Sequence, residues 1–113
     1  MPTSDTVSVI STAANTVVAT VPVVSGSYNS APYAIAITPN GAFAYTANAA
    51  ASTVSVIDTA TNTVITTVGV GSTPHGVTIT PDGKFAYVGN EYSSTVSVID
   101  TSTNTVVDTG LRR

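Results

Sequence analysis

The chain has 113 residues, the length of one ordinary domain, of which only 8% are charged, and its net charge is −3. This acidic balance argues against nucleic acid as a partner, because nucleic-acid-binding surfaces are built from clustered lysine and arginine. The sequence has no cysteine, which excludes disulfides and thiolate chemistry. No apolar run approaches the roughly 20 residues of a membrane-spanning helix, so no membrane insertion is expected. The residues after Met1 show no secretory signal.

Two sequence strings recur along the chain. TVSVI and the Asn-Thr-Val string that follows it begin at Thr6 and Asn15, at Thr53 and Asn62, and at Thr95 and Asn104. The longer string P-x₅-T-P-[ND]-G-x-F-A-Y occurs at Pro32–Tyr45 and again at Pro74–Tyr87. A period of about 40–45 residues with several short strands in each unit is typical of a β-propeller blade.

The first predicted elements form half a unit. TVSVI at Thr6–Ile10 alternates apolar and polar residues, as a half-buried strand does, and the Asn-Thr-Val string begins a second strand. Ser11 stands where the later copies have Asp58 and Asp100, so this turn should be slightly weaker. The segment Ser25–Ala31 is an insertion relative to the later units, and it either binds a partner or is neutral drift.

Each full unit that follows is predicted to contain four strands. The first strand starts at Pro32 or Pro74 and ends in a tight turn, Thr38–Gly41 or Thr80–Gly83, because Pro, Asn or Asp, and Gly supply the required dihedral angles. Strands at F-A-Y, TVSVI and Asn-Thr-Val complete the unit. The fourth strands are apolar on both faces at residues 63–65 and 105–107, which predicts packing between sheets. We expect almost no helix, since Thr and Val are poor helix formers.

These elements predict an all-β protein made of β-propeller blades of four antiparallel strands, about two and a half blades in this chain. The whole of 1–113 is one repeat segment, with a half blade at 6–21, a full blade at 32–69 and a full blade at 74–109. Two and a half blades cannot close a ring, since closure takes 4–8 blades. We therefore expect self-association through blade faces, as a closed ring or an open filament; the alternative is that the chain belongs to a longer propeller.

The repeat resembles the YVTN-type β-propeller family, named for a Tyr-Val-Thr-Asn string. That string reads Tyr87-Val88-Gly89-Asn90 in one unit and Tyr45-Thr46-Ala47-Asn48 in the other. The resemblance implies that the first strand of each blade lines a central channel. It also implies a cell-surface or extracellular location, as in surface-layer proteins, although related propellers occur in redox enzymes and sugar-lactone hydrolases.

The candidate site residues are few. His75 is the only histidine, and it is either a structural residue of the repeat or a ligand or base at the start of a channel-lining strand. The carboxylates Asp58, Asp82 and Asp100 recur in turns and should cap them, whereas Asp5, Glu91 and Asp108 are scattered. The rings of Tyr45, Phe85 and Tyr87 should pack between blades.

No catalytic, cofactor-binding or metal-ligating set is therefore predicted. A metal site needs several convergent ligands, and a carboxylate pair needs two groups facing one substrate. The expected function is a non-enzymatic propeller module that acts as a structural, assembly or interaction scaffold. The alternative is a ligand- or cofactor-binding propeller enzyme, of the redox or sugar-lactone hydrolase kind, with a site at the mouth of the central channel around His75.

Overall fold

The structure is a computed structural model that describes residues 5–23 and 31–111. Its strands are β1 Thr6–Ser11, β2 Thr16–Pro22, β3 Pro32–Ile37, β4 Phe43–Asn48, β5 Thr53–Asp58, β6 Thr63–Gly69, β7 Pro74–Ile79, β8 Phe85–Asn90, β9 Thr95–Asp100 and β10 Thr105–Leu111. The described residues contain strands and turns and no helix. The insertion Ser25–Ala31, with Gly26 and Tyr28, lies outside the described residues apart from Ala31.

The strands form three antiparallel sheets in chain order. β1 pairs with β2, β3 to β6 form one four-stranded sheet, and β7 to β10 form another. We call them the half blade, blade B and blade C. The predicted all-β architecture of two and a half propeller blades is confirmed. The first strands of the full blades, β3 and β7, lie against each other, on the side where a closed propeller has its central channel.

The turn between the third and fourth strand of each blade depends on an asparagine. Asn15, Asn62 and Asn104 have φ of 56°, 57° and 54°, a left-handed conformation that asparagine tolerates better than most residues. The Asp58 carboxylate accepts a hydrogen bond from the Ala60 backbone N–H at 2.8 Å, and Asp100 does the same for Ser102 at 2.8 Å. The predicted capping role of these aspartates is confirmed. In the half blade, Ser11 Oγ accepts a longer hydrogen bond, at 3.3 Å, from the backbone N–H of Ala14, one residue further along the turn.

The turn between the first and second strand of each full blade is held by one side-chain oxygen. In blade C, Asp82 Oδ1 accepts hydrogen bonds from the Thr80 hydroxyl at 2.6 Å and from the Lys84 backbone N–H at 3.0 Å. The Thr80 hydroxyl, followed by the Lys84 N–H, lowers the pKa of Asp82 from its ordinary value of 3.8. Gly83 supplies the positive φ of 76° that the turn requires.

The hydrophobic core lies between the blades. Between blades B and C, Tyr45, Val54 and Val56 pack against Ala86, Val88 and Ile99. Between the half blade and blade B, the buried residues are Val21, Val23, Ala44 and Ile57. Burial of these faces, at about 25 cal/mol per Å² of apolar surface, is the main force that stacks the sheets.

Tyr45 is the largest side chain in the interface between blades B and C. It is 1% exposed, and its hydroxyl donates a hydrogen bond to Asn104 Oδ1 at 2.5 Å. Burial, and secondarily the Asp100 carboxylate, raise the pKa of the Tyr45 phenol. The predicted packing of this ring between blades is confirmed, whereas Tyr87, its equivalent in blade C, is 46% exposed.

The fourth strands differ from the prediction. Ile65 is 49% exposed, and Val106 and Val107 are 36% and 54% exposed, so packing of both faces at 63–65 and 105–107 is wrong. The reason is a β-bulge in each fourth strand, which leaves Ile65 and Val107 without a partner in the ladder and turns them outward. Blade C also differs from blade B at this strand. Asp108 and Gly110, opposite Val98 and Val96, take the places of Thr66 and Val68.

Candidate functional site at the start of the inner strands

Two kinds of connecting segment lie at the same end of the blades. The segments that lead into the first strands and the turns between the second and third strands lie together there, since strands alternate in direction. Backbone hydrogen bonds tie them: Ala49 N–H donates to Ala31 O at 3.0 Å, and Glu91 N–H donates to Thr73 O at 2.9 Å. Side chains at the start of β3 and β7 are thereby held beside those that follow β4 and β8.

A β-bulge at the start of each inner strand exposes one side chain. In blade B the register runs from Pro32 opposite Asn48 to Ala34 opposite Ala47, so Tyr33 has no partner in the ladder. In blade C, His75 is left out in the same way between Pro74 and Gly76. Bulges of this kind redirect a side chain and are over-represented beside active sites.

The bulges bring Tyr33 and His75 together. Their rings are stacked, with centroids 4.5 Å apart and an angle of 21° between the planes. Glu91, the residue after β8, places Oε1 3.8 Å from His75 Nδ1, and the two side chains are 41% (His75) and 46% (Glu91) exposed. At 3.8 Å the two atoms are close neighbours and are not hydrogen-bonded. The cluster is open to solvent and combines an imidazole with a carboxylate, two groups that enzymes use for general acid–base chemistry.

Two buried asparagines at the ends of β4 and β8 stabilise this end of the blades. Asn48 Nδ2 donates to Ser55 Oγ at 2.9 Å, and Asn90 Nδ2 donates to Ser97 Oγ at 2.9 Å. Asn48 Oδ1 also accepts a hydrogen bond from the Thr46 hydroxyl at 3.2 Å. In blade C a valine stands at the position of Thr46, and Asn90 Oδ1 is buried without a hydrogen-bond partner.

The backbone of Gly71 lies against the second of these asparagines. A Cβ atom at Gly71 would lie 2.7 Å from Asn90 Cγ and Nδ2 and 2.7 Å from Ser93 Oγ. The segment that leads to His75 therefore packs directly against Asn90, and a side chain at Gly71 would push this segment away from the asparagine.

The structure brings together only part of what the sequence singled out. Asp58, Asp82 and Asp100 stay in their turns, far along the strands from His75, whereas Glu91 joins it. The sequence reasoning missed the pairing of His75 with Glu91 and with Tyr33. The available signal was the equivalence of Tyr33 and His75 in the repeat, 42 residues apart. Among residues 5–23 and 31–111, no group of three His, Cys, Asp or Glu side chains is placed to hold a metal ion. No helix of the described part is long and apolar enough to cross a bilayer.

The stacked four-stranded sheets define a protein of the β-propeller class. The chain belongs to the family described as "Lactonase, 7-bladed beta-propeller", whose model matches residues 4–109. No curated protein matches the chain. The prediction of a propeller family is confirmed by this match, which does not extend to the YVTN or surface-layer type.

Solved structures show the same architecture. A chain of Kuenenia stuttgartiensis hydrazine synthase is 34% identical, with a TM-score of 0.85, over 93% of this chain and 29% of its own. Dihydro-heme d1 dehydrogenase NirN in complex with DHE is 19% identical, with a TM-score of 0.79, over 95% of this chain and 22% of its own. A functionally unknown protein from Desulfotomaculum acetoxidans DSM 771 is 30% identical, with a TM-score of 0.61, over 69% of this chain and 26% of its own. This chain thus spans less than a third of each.

These findings correct one expectation from the sequence. The prediction that the chain is not an enzyme is contradicted, because the family is a lactonase family and two similar structures are enzymes. The physical reason is that Tyr33, His75 and Glu91 come together only through the bulges and the contacts between blades, so no compact motif appears in the sequence.

Proposed function

We propose that this chain contributes to the catalytic surface of a lactone-hydrolysing propeller, with His75 and Glu91 as its acid–base pair. The observation that supports the proposal most is the stacked Tyr33–His75 pair beside Glu91, in a chain that belongs to a lactonase family. Imidazole is the general base used most often by enzymes, and a neighbouring carboxylate is its usual orienting group.

In the proposed reaction water adds to the acyl carbon of a cyclic ester. His75 takes a proton from the attacking water, and the bond between the acyl carbon and the ring oxygen then breaks. The proton passes to the departing alkoxide, so the product is an open hydroxy acid. In the substrate complex Glu91, whose Oε1 lies 3.8 Å from His75 Nδ1 in the free protein, moves to hydrogen-bond distance and orients the imidazole. Tyr33 covers one face of the His75 ring and offers an aromatic surface to the substrate.

The charge of the cluster favours a class of substrate. Glu91 is an acid, and the one lysine of the chain, Lys84, follows the turn at the opposite end of blade C. No cation of the described residues therefore lies beside His75 to bind a phosphate or carboxylate. We infer that the part of the site in this chain contacts the uncharged ring of a lactone.

The test measures both binding and turnover. Neutral γ- and δ-lactones are added to the purified protein, proton release is followed in a pH-stat, and the imidazole signals of His75 are followed by NMR. We expect the lactones or their hydroxy acids to shift these signals. We also expect turnover to fall about 10²–10⁴-fold in His75→Gln, the usual contribution of a general base. Tyr92→Phe is the control, since Tyr92 is 80% exposed and has no role in the cluster. Unchanged signals together with unchanged rates in His75→Gln would refute the proposal.

The YVTN-type assignment, the cell-surface location and the self-association through blade faces stay predictions. The charge-poor, Thr- and Ser-rich composition supports the location, and the exposed apolar residues of the half blade, Ile10, Val17 and Val18, support the association. Size-exclusion chromatography with light-scattering detection tests the association. A monomer at all protein concentrations would contradict it.

A further inference from the structure

Thr73, the last residue of the connection from blade B to blade C, has an unfavourable backbone conformation. Its φ is 55°, in the left-handed region, where a β-branched residue is a clear outlier. Pro74 follows, and a residue before proline is normally extended. Glycine is the residue that adopts a positive φ at no steric cost. The local sequence therefore does not favour this conformation, and contacts with the rest of the fold must hold it in place.

Hydrogen bonds to the turn after β8 hold the connection. The carbonyl oxygen of Thr73 accepts a hydrogen bond from the Glu91 backbone N–H at 2.9 Å. The carbonyl oxygen of Ser72 accepts one from the Tyr92 N–H at 3.2 Å, and the Ser72 N–H donates to Ser93 Oγ at 3.2 Å. Unfavourable backbone conformations persist where the surrounding structure over-determines them, and they cluster at functional sites. Here the turn that holds the connection is the one that carries Glu91.

One peptide group reaches both members of the acid–base pair. The carbonyl that accepts the Glu91 N–H belongs to the peptide bond between Thr73 and Pro74, and His75 is the next residue. Pro74 is fully buried and its ring fixes φ, so little rotational freedom separates the Thr73 carbonyl from His75. The direction of this carbonyl therefore sets the backbone of His75 relative to that of Glu91.

The side chains of the pair do not fix their own spacing. His75 Nδ1 and Glu91 Oε1 are 3.8 Å apart, which is too far for a hydrogen bond, and both side chains are partly exposed. The hydrogen bond at Thr73 is shorter and joins two main-chain groups. It is therefore the firmer link between the start of β7 and the residue that follows β8.

Blade B has the same connection without the carboxylate. Ala31, which precedes Pro32, has a φ of 51°, and its carbonyl accepts a hydrogen bond from the Ala49 N–H at 3.0 Å. The positive φ therefore belongs to this position of the repeat and not to threonine. Blade C differs in two ways: its residue at this position is β-branched and therefore more restricted than alanine, and the partner residue carries an ionisable side chain.

We propose that Thr73 is a positioning residue, whose restricted backbone at positive φ keeps Glu91 within reach of His75. This inference rests on the proposed function, because the pair that Thr73 positions is the acid–base pair of the lactone reaction. A displacement of about 1 Å at such a pair lowers turnover by up to about 10²-fold. The unfavourable conformation costs stability and favours catalysis, a trade-off that is common at active sites. Opposite changes in stability and turnover are therefore the signature of this role.

The test is Thr73→Gly in the full chain. Glycine adopts the same φ without strain, so the urea midpoint of unfolding should stay unchanged or rise. The glycine backbone is also freer, so the order parameter of the His75 backbone N–H, measured by ¹⁵N relaxation, should fall below the rigid value of about 0.85. The ring-current shift that Tyr33 imposes on the imidazole signals should shrink. Lactone turnover should fall about tenfold or more through kcat, with KM little changed.

Two variants serve as controls. Thr73→Val keeps the β-branched shape and removes the hydroxyl. It should leave the His75 order parameter unchanged and turnover within about twofold of the parent value, which separates the role of the backbone from that of the hydroxyl. Ser94→Gly removes another positive φ, of 53°, in the same turn as Glu91 but at a residue that makes none of the hydrogen bonds described above. It should change neither the order parameter of His75 nor turnover.

Two results would overturn the proposal. One is a Thr73→Gly protein with the order parameter of His75 and the kcat of the parent protein. The other is a lowered unfolding midpoint, which would make Thr73 a purely structural residue. Failure of the proposed function is seen separately, as unchanged turnover in His75→Gln. Where the parent protein has no lactone turnover, the order parameter and the ring-current shift still decide whether Thr73 positions His75.

Discussion

The hydroxyl of Tyr45 offers a test of how the blades are held together. Tyr45→Phe keeps the buried ring and removes only the hydrogen bond to Asn104. No cavity forms, so the expected loss is the net value of one hydrogen bond, about 0.5–1.5 kcal/mol. Removing the whole ring in Tyr45→Ala should cost about 3–5 kcal/mol. That is a large share of the roughly 5–15 kcal/mol that stabilises a domain.

Urea unfolding followed by circular dichroism measures the loss. With a slope of about 1–3 kcal/mol per molar urea, a loss of 1 kcal/mol lowers the midpoint by about 0.3–1 M. The matched control is Tyr87→Phe, which changes the same residue of the repeat at a position that is 46% exposed. Its free energy of unfolding should stay within about 0.5 kcal/mol of the parent value. Equal losses in the two variants would show that the bond between Tyr45 and Asn104 does not stabilise the stack.

Three further predictions concern single positions. Val88→Thr supplies the donor that Asn90 Oδ1 lacks and should leave the free energy of unfolding unchanged or raise it. The control is Val54→Thr, because Val54 is also 0% exposed but its hydroxyl would be buried without a partner. This control should cost about 1–3 kcal/mol in the same urea assay. Gly71→Ala forces a Cβ against Asn90 and should cost about 1–3 kcal/mol, while Gly69→Ala, with open space around it, should be close to neutral in thermal unfolding. The pKa of Asp82 is lowered in the fold, so the contribution of its carboxylate to stability is present above the ordinary pKa of 3.8 and is lost as the pH falls below it. In Asp82→Asn the unfolding midpoint should therefore fall less steeply with decreasing pH than in the parent protein. An unchanged acid dependence would contradict this.

The repeat made most of the architecture predictable from the sequence. TVSVI and F-A-Y fix the strands, and Asp58, Asp100 and the asparagines of the turns fix the connections, because these features depend on local backbone chemistry. The exposure of Tyr87 and Ile65 could not be predicted in the same way. This exposure depends on whether a neighbouring blade or solvent lies beside each strand. Identical residues in a repeat do not indicate which of the two it is.

The candidate site was predictable only in part. His75 was visible as the single histidine, and its place at the start of an inner strand followed from the repeat. Its contact with Glu91 depends on a bulge at Pro74 and on the hydrogen bonds that hold the two connections together, and these are properties of the folded sheet. The lactonase-type propeller was only the alternative from the sequence, and the family match favours it over the non-enzymatic scaffold; one bulged residue in each blade does not form a recognisable motif.

Asp108 and Gly110 make the outer face of blade C different from the equivalent face of blade B. In blade B the equivalent positions carry Thr66 and Val68, and Val68 is 7% exposed within the interface. On the outer face of blade C a carboxylate and a missing side chain replace them, which is one of the ways in which sheet proteins discourage unwanted neighbours. A further blade inserted between B and C would meet matched surfaces, but one stacked beyond C would have to bury a charge. Lengthening the array by duplication is therefore easier inside the stack than at this end, and an engineered extension past blade C would first need Asp108→Thr and Gly110→Val.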